Sequence, residues 1–182
     1  MLRRRQAPTL DFACGAPDAV PCRNAVAVEN EWCADHISET FAKKDSNLLV
    51  KLLQMAPPDT LSPEVHFRLG IWPDETVRFL YVSQRSDIPA NVMAKLVQDQ
   101  SPKVAETVAQ VTTDPHQLLE IFRSWGRDYK RHWRVAFWVV KNKRCPEEVL
   151  DAVIGSKGRP PYPNPDVVAA ARQTLARHHD VG

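Results

Sequence analysis

Five prolines limit how this 182-residue chain can fold, because each stands directly behind a small polar residue or a cysteine. The pairs are Ser62-Pro63, Ser101-Pro102, Asp114-Pro115, Cys145-Pro146 and Asn164-Pro165. Proline fixes φ near its helical value and lacks an N–H, so it fits the first helical position, where that donor would have no partner. A Ser, Asp or Asn just before it can accept one of the orphan N–H groups of the first turn. Asp74 ahead of Glu75 and Asp87 ahead of Pro89 are variants of the same signal. The chain holds 15 prolines and only 6 glycines, a balance that suits repeated helix starts better than loose linkers.

Each start is followed by apolar residues three and four apart, which places them on one face of a helix. Val65 and Leu69 follow Pro63, Val104 and Val108 follow Pro102, Leu118 and Phe122 follow Pro115, and Val149 and Val153 follow Pro146. Two kinds of helix alternate. One carries an early valine (Val77, Val104, Val135, Val167), and the next opens near a proline (Pro89, Pro115, Pro146) eleven or twelve residues later. Helices this short are marginal alone in water, so each must bury its apolar face on a neighbour. Two helices per unit and a period near thirty predict an all-α fold, a short-helix, HEAT-like α-solenoid, with an irregular helical bundle as the alternative.

The segments DETVRFLYVSQRSDIPANVMAKLVQD and SPKVAETVAQVTTDPHQLLEIF carry a further likeness. They resemble the variant leucine-rich repeat, whose unit pairs a valine-containing helix with a proline-started leucine helix. The likeness covers about residues 60–178. The family includes a protein with a cysteine-rich iron–sulfur module ahead of its repeats. The units here are longer than the family's, and only three cysteines precede the repeats.

Those three cysteines lie in CGAPDAVPCRNAVAVENEWCADH, residues 14–36. Residues 13–36 are rich in Ala, Pro, Asn and Asp and have too few large apolar groups to order themselves without a cross-link. Cys33 and His36 stand at a C-x2-H spacing, with Cys14 and Cys22 upstream. Cys14, Cys22, Cys33 and His36 form a Cys3His set that suits tetrahedral zinc, and four protein ligands make the site structural. An iron–sulfur cluster is the alternative, but it ordinarily takes four thiolates. The domain order is therefore a basic arm at 1–12, a metal-binding module at 13–36 and a helical-repeat domain at 37–182.

No run of about eighteen apolar residues exists, and the basic start lacks the apolar stretch of an export signal. A cytoplasmic setting follows, where clustered cysteines hold metal more often than they form disulfides. A net charge of +2 imposes no global field. Locally, Arg3, Arg4 and Arg5 form a basic arm, and Arg127, Lys130, Arg131, Arg134, Lys141, Lys143 and Arg144 interleave with Trp125, Tyr129, Trp133 and Trp138. Cations beside aromatic rings can hold a phosphate backbone and stack on bases. The same rings can instead fill a core while the cations face solvent. His66, His116 and His132 stand singly on helices, and His178-His179 reads as a surface pair at a fraying end. Cys145 sits at a helix start, where a thiol can be activated, but it reads more readily as a small buried residue. There is no glycine-rich phosphate loop, no G-x-S-x-G and no H-E-x-x-H. The expected role is a non-enzymatic scaffold that binds a protein partner or multi-subunit complex through its helical surface. Nucleic-acid or ribonucleoprotein binding through the basic residues is the alternative.

Metal analysis tests the module. Purified protein is expected to carry about one zinc per chain and to lose it on Cys33→Ser. Iron with acid-labile sulfide would refute the zinc reading.

Overall fold

The computed structural model describes residues 41–55, 61–126, 128, 131–156 and 164–180. The N-terminal arm and the Cys3His segment therefore lie outside the described residues. Within them the fold is all-helical, without a strand. The α-helices are α1 (Ser46–Met55), α2 (Pro63–Gly70), α3 (Glu75–Gln84), α4 (Ala90–Val97), α5 (Pro102–Val111), α6 (Pro115–Ile121), α7 (Trp133–Lys141), α8 (Glu147–Gly155) and α9 (Pro165–Asp180). A π-helical turn, Phe122–Gly126, follows α6. No described helix is long and apolar enough to cross a membrane.

The proline signals fall where helices begin. Pro63, Pro102, Pro115 and Pro165 are first residues, and Pro146 is the cap residue of α8. The carboxylates of Asp74 and Asp114 accept from the backbone N–H of Thr76 (2.8 Å) and His116 (2.9 Å), and the Asn164 side chain accepts from Asp166 (2.8 Å). Ser62 accepts from Val65 at 3.4 Å. Two expected caps do other work. Ser101 makes no cap bond, because its hydroxyl donates instead to Glu75 Oε2 at 2.7 Å. Asp87 does not cap α4, because Arg85 holds its carboxylate through two short bonds. Cys145 precedes the cap rather than forming it. It is 2% exposed, and burial pushes its thiol up to about 12, so it is a core residue and not an activated nucleophile.

The alternation of helices is visible in what touches what. The odd-numbered helices pack in chain order, α1 on α3, α3 on α5, α5 on α7 and α7 on α9. The even-numbered helices α2, α4 and α6 also pack in order, and cross-contacts join α2 to α3, α4 to α5, α5 to α6 and α8 to α9. One register serves α3, α5, α7 and α9. Their third residues are Val77, Val104, Val135 and Val167, and their seventh are Tyr81, Val108, Val139 and Ala171. All eight are fully buried. Positions three and seven lie one above the other on a helix face, so this stripe is the seam between neighbouring odd helices. Burying each of the six valines stabilises the fold by about 1.5–3 kcal/mol, before the entropy of ordering the chain is set against it.

Polar groups from one unit close the backbone of the next. Arg78 on α3 binds Asp99, between α4 and α5, through Nε to Oδ2 at 2.6 Å and Nη2 to Oδ1 at 2.9 Å. Its Nη1 donates to the carbonyls of Trp72 and Pro73. Asn142, after α7, donates to the carbonyls of Ala109 (2.8 Å) and Thr112 (2.9 Å) at the end of α5. Trp72 Nε1 donates to Ser46 Oγ at the start of α1 (3.0 Å). Each bond satisfies a backbone or capping group that a helix end leaves open.

Gly70 ends α2 where that helix meets α4. A methyl group there would run into Cγ1 of Val92, itself 1% exposed. Gly70→Ala is expected to destabilise the protein by about 1–3 kcal/mol through overpacking. Gly155→Ala, at a position open to solvent, supplies the control, since nothing stands within 4 Å of the added carbon. Urea melts of the two variants check the difference.

A candidate docking groove

The odd helices also share an outward register. On α3, α5, α7 and α9 the second residues are Thr76, Lys103, Arg134 and Asp166, and the fifth are Phe79, Glu106, Phe137 and Ala169. Position two of one helix meets position five of the helix before it. Lys103 Nζ lies 4.2 Å from the centre of the Phe79 ring, and Arg134 Nε lies 3.2 Å from Glu106 Oε2. A long cation thus covers the seam at the first two junctions.

The third junction differs. Position two of α9 is Asp166, and the fifth and sixth positions are Ala169 and Ala170. Opposite them α7 presents Trp133, Arg134, Phe137, Trp138 and Lys141. Small residues facing large rings leave a groove of about 710 Å³ along the α7–α9 seam, with Asp166 and Gln173 on its α9 wall. Its rings meet edge to face. Trp133 and Phe137 have centroids 6.4 Å apart at 72°, and Phe137 and Trp138 5.3 Å apart at 78°. This tilted arrangement is favourable for the ring quadrupoles, and it fixes the floor of the groove. The cation that α9 fails to supply comes from α7 itself. Lys141 Nζ lies 5.2 Å from the Phe137 ring centre and 4.8 Å from that of Trp138.

The cations expected to act together are only partly gathered here. Arg134 and Lys141 line the groove. Arg131 is exposed just before α7, and Lys143 and Arg144 are exposed in the turn after it. Arg127, Lys130 and Tyr129 lie outside the described residues, as do Arg3, Arg4, Arg5, Cys14, Cys22, Cys33 and His36. Trp125 is half-buried and meets His132 edge to face at 4.9 Å, packed against the core rather than in the groove. The α9 wall was not picked out from sequence. Its signal is the Ala169-Ala170-Ala171 run, set where the other odd helices carry larger residues.

A second polar cluster lies inside the fold. His66, 4% exposed on α2, places Nδ1 2.7 Å from the Tyr81 hydroxyl and Nε2 3.4 Å from Asp87 Oδ2. It does not stand singly, contrary to the sequence reading. A neutral imidazole with its proton on Nε2 satisfies both contacts, accepting from Tyr81 and facing Asp87 with its N–H. Burial lowers the His66 pKa, with Arg85 opposing protonation and Asp87 favouring it. Burial also raises the Tyr81 hydroxyl well above its usual range. Tyr81 is fully buried, and the cluster ties α2, α3 and the loop after α3 together. His178, also expected to be a free surface group, instead places Nε2 3.0 Å from the Lys143 carbonyl.

Compared with known proteins, the chain matches no family model, no curated protein and no solved structure.

The His66 cluster sets a pH dependence. Its folded-state pKa lies below the ordinary 6.5 of the unfolded chain, so its share of stability is complete above that pH. As pH falls below 6.5, the unfolded chain takes up a proton that the folded chain resists, and stability is lost. The melting temperature is expected to drop between about pH 7.5 and about pH 5.5, and to drop less in His66→Gln. Thermal melts at the two pH values check it, and equal drops in the two proteins would refute the assignment.

Proposed function

We propose that this chain is a non-enzymatic scaffold in which helical repeats of the variant leucine-rich type stack as an α-solenoid and dock a protein partner along the α7–α9 groove. The observation that carries this reading is the α7–α9 junction. The outward register is closed by cations at the α3–α5 and α5–α7 junctions and open at α7–α9, where alanines face aromatic rings. A half-buried aromatic floor with a charged rim is the composition of a recognition surface. The in-order packing of odd helices supports a repeat architecture, since each unit meets its sequence neighbours. Cys14, Cys22, Cys33 and His36 would cap the N-terminal end around a zinc ion, in a cytoplasmic setting that keeps the thiols reduced.

Ala169 is exposed on the groove wall, so Ala169→Trp fills the groove without entering the core. Affinity isolation from native lysate is expected to retain partner proteins with the natural chain and to lose them with Ala169→Trp, at unchanged melting temperature. Retention that nuclease treatment abolishes would support nucleic-acid binding instead.

A further inference from the structure

We infer that the occupant of the α7–α9 groove is an extended acidic peptide segment of the partner, with an aliphatic side chain packed against the ring edges of Phe137 and Trp138. This rests on the docking reading above and adds the chemistry of what docks.

Charge is the first argument. From Arg131 to Arg144 the chain carries five cations and no Asp or Glu. Of the two that line the groove, Arg134 already has Glu106 at 3.2 Å. Lys141 has no carboxylate partner among the described residues, and its ammonium rests on two ring faces. A carboxylate arriving beside Lys141 gains a charge-assisted contact over an apolar floor, where the lower local dielectric strengthens it.

The second argument separates a peptide from a nucleic acid, the other anionic polymer such a surface could meet. Base stacking needs an open ring face. Here the rings stand edge to face, and Lys141 occupies one face of Phe137 and one of Trp138. Asp166 also sits in the lining and repels a backbone that carries a negative charge at every step. A peptide can place its carboxylates beside Lys141 and a neutral residue opposite Asp166. The α9 wall suits such a chain. Ala169 and Ala170 allow close approach, and the Gln173 amide can donate to and accept from an extended backbone.

Selection from a random peptide display library on the immobilised full chain tests this. The natural protein is expected to enrich peptides with Asp or Glu beside an aliphatic residue. Lys141→Glu should weaken those peptides about tenfold or more, and should itself enrich Lys- or Arg-bearing ones. Ala169→Trp should abolish enrichment, with both variants melting as the natural chain does. Basic or uncharged peptides that Ala169→Trp still rejects would overturn the acidic occupant and leave the docking reading standing. Peptides that bind Ala169→Trp equally well, or no enrichment at all, would overturn both. A single-stranded oligonucleotide of about twelve nucleotides is the remaining probe. Its retention by the natural chain and loss in both variants would place nucleic acid in the groove and refute the inference.

Discussion

The structure depends on one repeated contact, the burial of the third and seventh residues of α3, α5, α7 and α9 at the seams between neighbouring odd helices. Val77 and Tyr81, Val104 and Val108, Val135 and Val139, and Val167 and Ala171 are all fully buried. Helices of eight to ten residues have little stability of their own, so their order comes almost wholly from this seam. Spacing by four keeps the two side chains on one face, and equal placement in successive helices brings those faces together in chain order. Every other feature is arranged around that shared register.

Apolar seams have little directionality, and polar groups set how each unit meets the next. Arg78 reaches back to the Trp72 and Pro73 carbonyls while binding Asp99, and Asn142 reaches back to Ala109 and Thr112. These bonds join residues 5 to 33 positions apart. The Arg78–Asp99 pair is nearly buried, with side chains 13% and 6% exposed, and Asp99 holds the guanidinium pKa above its usual value. Desolvation of so enclosed a pair offsets much of its Coulombic attraction, so its main effect is on geometry rather than on net stability. The His66–Tyr81–Asp87–Arg85 cluster performs the same office at the α2–α3 corner.

The groove is a consequence of the shared register. Positions two and five meet at the α3–α5 and α5–α7 junctions, so residue choice at those positions decides whether such a junction is covered or open. Lys103 over Phe79 and Arg134 on Glu106 cover two junctions. At the third, Asp166 and two alanines face three aromatic rings, and the seam opens. A binding surface can arise this way without any change in the core, since Val167 and Ala171 remain buried beneath it.

The sequence by itself determined where helices start, which residues enter the core and that two kinds of helix alternate. Those features follow from proline's missing N–H and from helical spacing, which act within a few residues. The destinations of the polar groups were decided by tertiary structure. Ser101 and Asp87 have the local form of caps, yet Glu75 claims Ser101 from 26 residues away, and Asp87 is held by its neighbour Arg85 and by His66 from α2. His66 looked isolated because its partners stand 15 and 21 residues away. The cations between Arg131 and Arg144 were legible as a group, but helix geometry separates Arg134 and Lys141 from those in the flanking turns. The wall they face belongs to α9, about thirty residues further on. No local pattern announces that wall, because an alanine run becomes an opening only when a second helix lays large side chains opposite it.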